Sequence, residues 1–389
     1  MRVAIIGAGP AGVMAGINLV HSDCEVTFFD DKLPLSTLLP TGGGRCNLAF
    51  AEFDNRELIN YYPRGGKFLL SVFSRFSTGD TIEFFKSIGV STYIQEDLRI
   101  FPKSNSAKDV RDKLLAKLRD KKVYFEKEKV VDIIKKGNNF GIYTKKAQYS
   151  FDKVVFAGGI KNNYQLLSKM GVELIEPRPA LCAICVENSD LYSLSGVVLK
   201  NVFATVDKKL LDGDILITHK ALSGPLAYKI SATCAYAEFP YVVKLNLVKK
   251  SFEEFDVKLI ETLEKNPKKD LLNIISDFVP RSFAQYLLKN LDVSESLKAN
   301  QVSKIIRNKI SRYLCEYELV VVSQKADGEI VTAGGVNLNC INPKTMEYKK
   351  IEGLYFCGEV LNIDGFTGGF NLQNCWSTGF IVGTSLSKM

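Results

Sequence analysis

The first thirty residues alternate between apolar runs and a glycine-rich turn. RVAII at 2–6 is a short apolar run, GAGPAG at 7–12 is a turn, and GVMAGINLV at 12–20 has apolar residues at helical spacing. A second apolar run, CEVTFF at 24–29, ends at Asp30. This order of strand, turn, helix and strand predicts a βαβ unit at the start of the chain.

The next part of the chain alternates between loop, helix and strand patterns. Residues 34–66 are rich in glycine, proline and polar residues and predict a long ordered loop, of the kind that is usually functional in compact enzymes. Apolar residues at helical spacing predict helices at about 68–76, 79–88 and 106–119. From 123 to 159 the alternation of apolar and polar residues predicts a strand meander.

The pattern changes twice after residue 176. Between 177 and 251, β-branched runs separated by polar turns predict a small barrel or sandwich. Between 252 and 314, apolar residues three and four positions apart predict helices, after which strand-like runs return and the last twenty residues have helical spacing. We expect one domain from 1–176 together with 326–389, a β-barrel domain at 177–251 and a helical subdomain at 252–325.

Gly7, Gly9 and Gly12 form a GxGxxG motif between the first predicted strand and helix. Gly7 permits the tight turn, Gly9 lets the backbone approach a diphosphate, and Gly12 lets the helix pack closely on the strand. The N-terminus of the helix favours an anion. Asp30, at the end of the second strand, is expected to accept hydrogen bonds from ribose hydroxyls. Together these features predict a dinucleotide-binding site.

The motif alone does not distinguish FAD from NAD, because both cofactors use it. The C-terminal segment GLYFCGEVLNIDGFTGGFNLQ, at 353–373, favours FAD. It places a strand, the pair Gly358 and Glu359, a glycine-rich turn and a helix where a two-part FAD domain closes over the ribityl chain. Glu359 is expected to bond hydroxyls there, and the amides of 369–372 to face the flavin pyrimidine. A helix N-terminus at that point would stabilise negative charge on the reduced flavin.

A third glycine-rich segment, TGGGRCN at 41–47, exposes backbone amides to an anion or to the flavin edge. Arg45 supplies a fixed charge and is a candidate catalytic residue, with a structural arginine as the alternative. Cys46 lacks a second cysteine at CxxC spacing, so we favour backbone contact over thiol chemistry. The predicted cofactor-binding residues are Gly7, Gly9, Pro10, Ala11, Gly12, Asp30, Asp31, Gly44, Arg45, Cys46, Val130, Ala157, Gly158, Gly159, Gly358, Glu359, Asp364, Gly368, Gly369, Phe370, Asn371 and Leu372.

Six segments in order resemble those of a known family. They are TGGGRCN, RIFPKSNSAKDV, EPRPALCA, ITHKALSGP, VTAGGVNLNCINPKTME and CGEVLNIDGFTGGFNLQ. Their order is similar to that of the BaiN/RdsA-type bacterial flavoproteins, also grouped as aminoacetone-oxidase-like or YhiN-like NAD(P)/FAD-dependent oxidoreductases. The resemblance covers nearly the whole chain. It implies an α/β fold with a split Rossmann-type FAD-binding domain, interrupted by a β-barrel domain and a small helical subdomain, and non-covalently held FAD.

The resemblance implies less about the substrate, because the activities proposed for such proteins range from amine oxidation to reduction of conjugated steroid enones. The chain also departs from the family pattern. After VVFAGG it runs directly through IKNNYQLLSKMGVELI, where relatives usually carry a longer stretch rich in glycine and serine. Asn362 stands where the C-terminal motif usually has an acid, although Asp364 follows it. The shortened stretch lies near the expected approach of substrate or nicotinamide to the flavin.

Few other residues suggest chemistry. His219, in ITHKALSGP at a predicted strand-to-loop junction, is a candidate catalytic proton donor or acceptor, with a structural histidine as an equal alternative. Cys182 and Cys185 form a CxxC pair in a run that we interpret as a buried strand. The only other histidine is His21 and no second cysteine pair has suitable spacing, so no metal site is expected.

Composition narrows the setting. The 389 residues, 46% of them hydrophobic, are enough to fill two or three cores. Nine cysteines, an odd number, suit a reducing compartment, and no apolar run reaches the length of a membrane span, so a soluble cytoplasmic protein is expected. The net charge of +8 comes from 51 basic and 43 acidic residues, a mixed surface that disfavours a nucleic-acid partner. The oligomeric state is left open.

We therefore predict an FAD-dependent oxidoreductase that transfers a hydride between flavin N5 and a small organic substrate. No second complete GxGxxG motif is present, so NAD(P)H, if it is the reductant, is expected to visit the flavin transiently. Three alternatives stay open, and the first two are an oxygen-using amine oxidase of the same family and a flavoprotein that binds tRNA or other RNA through lysine-rich helices. A structural FAD without catalysis is the third.

Overall fold

The computed structural model describes residues 1–20, 22–325 and 331–389, and the chain divides into two compact units. The first unit contains Met1–Arg178 and Thr332–Met389, and the second contains Pro179–Val331. The first unit is thus built from both ends of the chain. His21 and the predicted domain boundary at residue 326 lie outside the described residues.

Strands and helices are numbered here in chain order. The strands are β1 (Arg2–Ile6), β2 (Glu25–Phe29), β3 (Ala49–Phe50), β4 (Thr92–Ile94), β5 (Arg99–Pro102), β6 (Val123–Glu126), β7 (Val130–Lys136), β8 (Asn139–Thr144), β9 (Gln148–Phe151), β10 (Lys153–Phe156), β11 (Leu174–Ala180), β12 (Ile184–Val186), β13 (Val198–Val206), β14 (Lys209–Ile217), β15 (Leu222–Ser223), β16 (Tyr241–Asn246), β17 (Tyr317–Gln324), β18 (Val331–Val336) and β19 (Leu354–Phe356). The helices are α1 (Pro10–Ile17), α2 (Asn55–Leu58), α3 (Gly66–Phe73), α4 (Thr78–Ser87), α5 (Ala107–Lys117), α6 (Tyr164–Lys169), α7 (Pro225–Thr233), α8 (Phe252–Lys265), α9 (Leu271–Ile275), α10 (Arg281–Asn290), α11 (Lys304–Cys315) and α12 (Phe370–Leu386).

The first unit is centred on a five-stranded parallel sheet with the order β19, β10, β1, β2, β6. β1, α1 and β2 form the predicted βαβ unit, in which Val3 pairs with Val26 and Ile5 with Phe28. Val3 and Ile5 are completely buried, as expected for a central strand of a parallel sheet covered on both faces. The carboxyl ends of β1, β2, β10 and β19 lie together at one edge of this sheet.

Helix α12 packs against α1 through two glycines. A Cβ atom added at Gly379 would lie 2.4 Å from the carbonyl oxygen of Ala11, and one at Gly383 would lie 2.4 Å from that of Ala15. Because both distances are well inside van der Waals contact, only glycine allows the two backbones to approach this closely. The C-terminal helix is thereby fixed beside the helix of the N-terminal motif.

The predicted strand meander at 123–159 is only partly correct. β7, β8 and β9 do form an antiparallel meander. The prediction was wrong at both ends, because β6 pairs in parallel with β2, and β10 with β1 and β19. The alternation of apolar residues predicts a strand without revealing a distant parallel partner. A further antiparallel sheet, in the order β3, β5, β4, lies in the same unit.

The second unit contains a closed barrel in the order β12, β15, β14, β13, β16, β17. Helices α8 to α11 follow β16, in agreement with the helical spacing of 252–314. The chain then returns to the barrel, where β17 pairs with both β12 and β16. The range 252–325, predicted as helical, therefore ends in a barrel strand. Helix α7 was missed, although Gly224 followed by Pro225 at the first helical position is a typical helix start.

The predicted fold class is confirmed: an α/β unit of Rossmann type is interrupted by a barrel and a helical segment. Among the described residues, no helix combines the length and the apolar character needed to cross a bilayer. The same residues contain no group of three or more His, Cys, Asp or Glu side chains arranged to hold a metal ion.

Candidate cofactor-binding cleft

An open cleft lies at the carboxyl ends of β1, β2, β10 and β19. It contains about 1020 Å³ of empty space, including space open to solvent. Ligands of open α/β sheets bind at this edge, where loops follow the parallel strands. The cleft is lined by Ile6, Gly7, Gly9, Pro10, Ala11, Phe29, Asp30, Asp31, Lys32, Thr37, Glu128, Lys129, Val130, Ala157, Gly158, Gly159, Asn162, Asn163, Glu359 and Cys375.

The three glycines of the motif have different surroundings. Gly7 has φ +102°, and a Cβ atom there would lie 2.6 Å from Cα of Gly158. A Cβ atom at Gly12 would lie 2.1 Å from the carbonyl oxygen of Gly7. At Gly9 the nearest atom would be Thr37 Oγ1, at 3.7 Å. The fold therefore requires Gly7 and Gly12, whereas Gly9 leaves space for a ligand in the cleft.

The N-terminus of α1 contributes positive potential to the cleft. Gly9 directly precedes the helix, Pro10 is its first residue, and its first turn has no acidic residue. The amide of Gly7 already donates to the carbonyl oxygen of Phe29 at 2.9 Å. The first amides of a helix lack internal acceptors, and together with the helix dipole they favour a phosphate group.

Asp30 is oriented by two backbone hydrogen bonds. Its Oδ2 accepts from the amide of Ala8 at 2.8 Å, and its Oδ1 accepts from the amide of Lys32 at 2.9 Å. Each carboxylate oxygen can accept a further hydrogen bond. Since Asp30 lines the cleft at the carboxyl end of β2, a ribose hydroxyl is the donor that suits this position. Asp31 lines the cleft beside it.

Glu359 lines the cleft shortly after β19, and it is exposed to solvent there. Desolvation, with the negative charge of Asp364, raises the pKa of Glu359 to about 7. Near neutral pH the carboxyl therefore both donates and accepts hydrogen bonds. The neighbouring thiol of Cys375 is buried, and burial together with the charge of Glu359 raises its pKa well above the ordinary value.

The loop TGGGRCN does not line this cleft. Gly44 has φ +84°, and the Arg45 guanidinium lies 4.1 Å from the centre of the Phe101 ring. Nε of Arg45 donates to the carbonyl oxygen of Gly42 at 3.3 Å. Cys46 is completely buried, which raises the pKa of its thiol to about 12 and keeps it protonated at neutral pH. These contacts stabilise the loop, and the cofactor and catalytic roles of Gly44, Arg45 and Cys46 stay predictions.

The C-terminal motif is held by buried contacts of its own. Asp364 is completely buried in an ion pair with Arg64. The side chain of Asn371 accepts from the amide of Gly365 at 2.8 Å and donates to its carbonyl oxygen at 2.9 Å. Gly368 and Gly369, with φ +140° and +99°, lead into α12. A helix N-terminus therefore follows the glycine-rich turn.

The remaining predicted residues of this motif are not among those that line the cleft. Phe370 stacks on Tyr61 with ring centres 4.7 Å apart, and Leu372 is half-buried in the first turn of α12. A Cβ atom at Gly358, where φ is +76°, would lie 2.6 Å from Cβ of Ala11. The predicted contacts of Gly358, Asp364 and residues 368–372 with a flavin stay predictions.

His219 lies in the second unit, exposed in the turn between β14 and β15. The two cysteines of the CxxC pair, in the same unit, have separate partners. Sγ of Cys182 is 3.6 Å from Oε1 of Gln324, and Sγ of Cys185 is 3.4 Å from the carbonyl oxygen of Lys220. All nine cysteines are free thiols.

Eleven residues of the predicted set line the cleft, and nine other lining residues were missed. Ile6 and Phe29 could have been predicted in the same way as Gly7 and Asp30, because they are the last residues of the strands that precede them. Others reach the cleft from a loop or a helix, where no local pattern marks them. The missed residues are Ile6, Phe29, Lys32, Thr37, Glu128, Lys129, Asn162, Asn163 and Cys375.

The residues of the cleft fit FAD. The open backbone at Gly9 and the N-terminus of α1 suit a diphosphate, and the Asp30 carboxylate suits a ribose. The model of one protein family, the HI0933-like protein Rossmann domain, matches residues 1–385. The chain belongs to the HI0933-like family. The family resemblance that the sequence motifs indicate is thereby confirmed.

Relatives of this HI0933-like chain match it from end to end. A 3-dehydro-bile acid delta(4,6)-reductase of Clostridium scindens is 28% identical over 100% of the chain and 99% of its own length. A ribosomal RNA dihydrouridine synthase of Haemophilus influenzae is 26% identical over 99% of the chain and 98% of its own length. A ribosomal RNA dihydrouridine synthase of Escherichia coli is 25% identical over 98% of the chain and 97% of its own length.

Solved structures with a similar fold include a variant of the Escherichia coli quinol fumarate reductase FrdA. It has a TM-score of 0.52 at 12% identity and is covered over 70% of its length by the whole of this chain. The Sdh1 complex of Mycobacterium smegmatis has a TM-score of 0.50 at 15% identity, with 68% of that chain covered. The HI0933-like chain is an FAD-dependent oxidoreductase with a Rossmann-type FAD-binding unit.

Proposed function

We propose that the protein reduces a carbon–carbon double bond conjugated to a carbonyl group, with a hydride from reduced flavin. The two kinds of relative support this proposal because their names describe the same chemistry. A 3-dehydro delta(4,6) bile acid is a ketone conjugated to two double bonds, and dihydrouridine is uridine reduced at the double bond conjugated to its C4 carbonyl. The observation that carries the proposal is the cleft lined by Gly9, Asp30 and Glu359, whose backbone and side-chain groups suit FAD.

The chain's own groups define how the cofactor would be held. Asp30 would accept from the adenosine ribose, the N-terminus of α1 would face the diphosphate, and Glu359 would exchange hydrogen bonds with hydroxyls of the ribityl chain. Bound FAD supplies the hydride at N5. Because the sequence has one complete GxGxxG motif, we propose that NAD(P)H reduces the flavin in a transient visit.

His219 is the proposed proton donor to the carbon next to the carbonyl. Its imidazole is exposed in the turn between β14 and β15, so a ligand can reach it. Histidine is the side chain most often used for general acid–base catalysis. Replacement by glutamine should slow substrate reduction and leave anaerobic reduction of the flavin by NAD(P)H unchanged.

Anaerobic stopped-flow mixing tests the proposed reaction in two halves. Holoenzyme is first mixed with NADPH or NADH, and loss of the flavin absorbance band reports reduction. The reduced enzyme is then mixed with a conjugated 3-keto steroid diene or, as a control, with the saturated 3-keto steroid. We expect reoxidation only with the conjugated compound. Flavin that stays oxidised with both nicotinamides contradicts the proposal. Reduced flavin that is reoxidised by oxygen in a separate aerobic mixing step, but not by the conjugated steroid, contradicts it as well and favours the oxidase alternative.

A uracil base in RNA is the second candidate substrate, and one observation favours it. Helix α11 exposes Lys304, Lys309 and Arg312, whereas its fourth basic residue, Arg307, is mostly buried in an ion pair with Asp256. Ile305 beside them is 70% exposed. A basic helix face with an exposed apolar side chain suits a phosphate backbone with unstacked bases. Filter binding of ribosomal RNA fragments at two salt concentrations tests this candidate, and the lack of a salt-sensitive complex contradicts it.

A further inference from the structure

The side chain of Asn163, in the segment 160–163, bonds to a glycine turn that lines the cleft. Nδ2 of Asn163 donates to the carbonyl oxygen of Gly158 at 2.8 Å and to that of Gly159 at 2.9 Å. Asn163 precedes α6 but makes no side-chain capping bond to that helix. Both hydrogens of its amide nitrogen are thus directed back at the two glycines that follow β10.

The backbone amides of the same two glycines are not used in hydrogen bonds among the described residues. The amide of Ala157 donates to the carbonyl oxygen of Ile6 at 2.8 Å, but those of Gly158 and Gly159 have no acceptor among the described residues. Gly158 is exposed, and nothing would lie within 4 Å of a Cβ atom at Gly159, where φ is +67°. Unpaired backbone amides of consecutive residues in such a turn form a concave site for an anion.

This turn lies against the N-terminal motif. A Cβ atom at Gly7 would lie 2.6 Å from Cα of Gly158, so the two glycine turns touch through their backbones. Gly9, Gly158 and Gly159 all line the same cleft. A diphosphate at the N-terminus of α1 is therefore within the same concavity as the unpaired amides that follow β10.

We propose that Asn163 is a positioning residue for the cofactor diphosphate. Its side chain fixes the carbonyl groups of Gly158 and Gly159, and the amides of these glycines donate to the diphosphate. The proposal concerns how FAD is bound and does not depend on which substrate the flavin reduces.

Asn163→Asp is the sharpest variant, because it keeps the size of the side chain and removes the donor. An ionised carboxylate would face two carbonyl oxygens and add negative charge beside the diphosphate. Asn163→Ser keeps a single donor and should be intermediate. Asn138→Asp is the matched control, since it makes the same chemical change at an exposed asparagine that does not line the cleft.

The readout is the dissociation constant of FAD from apoprotein, measured by flavin fluorescence, with ADP and adenosine as competitors. Two lost hydrogen bonds and a repulsive charge should weaken FAD binding by Asn163→Asp at least tenfold, and by Asn163→Ser less. ADP binding should weaken by a similar factor and adenosine binding should not change, because only ADP carries the diphosphate. Asn138→Asp should bind all three as the wild type does.

Other outcomes overturn the proposal. If Asn163→Asp binds FAD within twofold of the wild type, the side chain does not position the site. If ADP and adenosine weaken equally, Asn163 stabilises the unit as a whole. If the melting temperature of the Asn163→Asp apoprotein falls, the ADP-to-adenosine ratio is measured on Asn163→Ser, and an unchanged ratio there rejects the proposal. Because no step involves turnover, a failed reductase assay leaves this result intact.

Discussion

Gly7 and Gly9 belong to one motif, but the structure predicts opposite consequences of replacing them. Gly7→Ala should destabilise the apoprotein by about 2–4 kcal/mol, because a left-handed φ is strained for alanine and its Cβ atom overlaps Gly158. Gly9→Ala should change the free energy of unfolding by less than about 0.5 kcal/mol, since φ is −77° and the nearest atom is 3.7 Å away. Urea unfolding of the two apoproteins measures this difference.

Gly9→Glu extends the comparison from folding to binding. The apoprotein should still fold, because the side chain enters the open cleft. FAD should no longer bind, since a carboxylate would occupy the space of the diphosphate and repel it. The FAD content after purification and a titration of apoprotein give the result. FAD bound by Gly9→Glu with wild-type affinity would contradict the placement of the diphosphate at this turn.

Glu359 predicts a pH dependence of the apoprotein's stability. Its pKa is about 7 in the folded chain against an ordinary value of 4.5. Between these pH values the folded state keeps a proton that the unfolded state releases, so stability falls as the pH rises from about 4.5 to about 7 and then levels off. Glu359→Gln removes this contribution. Melting temperatures of both apoproteins at pH 5, 6, 7 and 8 should diverge only across that window, and a constant difference would contradict the assignment.

At the scale of residues, the sequence predicted what a local motif specifies. Gly7, Gly9 and Asp30 are marked by spacing and by their positions at strand ends, and all three line the cleft. Asn163 and Cys375 were missed because they reach the cleft through the fold of a short loop and one face of a long helix. Neither position carries a signal that distinguishes it from neighbouring polar or small residues.

The contact between α1 and α12 yields a prediction for these two elements. Gly379→Ala should destabilise the apoprotein by roughly 2 kcal/mol, because its Cβ atom would lie 2.4 Å from the Ala11 carbonyl oxygen and the helices must separate. This cost exceeds the gain of about 1 kcal/mol that alanine brings to a helix. Since Ala11 lines the cleft, FAD should also bind more weakly. Urea unfolding and an FAD titration measure the two effects.

A matched substitution separates helix propensity from packing. Gly79 lies in α4, and the nearest atom to an added Cβ atom would be Ser77 Oγ at 3.8 Å. Gly79→Ala should therefore stabilise the apoprotein by about 0.5–1 kcal/mol and leave FAD binding unchanged. If Gly379→Ala behaved in the same way, the close approach of α1 and α12 would be disproved.

At the scale of elements, the periodicity of the chain predicted most helices and strands but not their partners. The pattern of 68–119 predicts the helices α3, α4 and α5, and that of 252–314 predicts the helical segment. The membership of β6 and β10 in the parallel sheet and of β17 in the barrel depends on contacts with residues far away in sequence. A strand has the same alternation whichever neighbour it finds, so only the folded chain determines these pairings.

The whole molecule joins its two chain ends in one unit, and the sequence revealed this through motifs at both termini. Residues near the N-terminus and Glu359 near the C-terminus line a single cleft, because α12 packs on α1 and β19 joins the sheet of β1 through β10. The net charge of the sequence was less informative about possible binding surfaces. A net charge of +8 suggests a mixed surface when it is averaged, whereas the structure exposes Lys304, Lys309 and Arg312 on one helix.

The location of this charge can be tested with two double variants that carry the same net charge as each other. Lys304→Glu combined with Lys309→Glu on α11, and Lys108→Glu combined with Lys117→Glu on α5, each change the charge equally, and all four lysines are exposed. If RNA binds at α11, only the first pair should weaken binding and lower the slope of log affinity against log salt by about 1.4. Neither pair should alter flavin reduction by NADPH. Equal losses in both would indicate a general attraction without a site, and no loss in either would leave the small-molecule substrate as the better proposal.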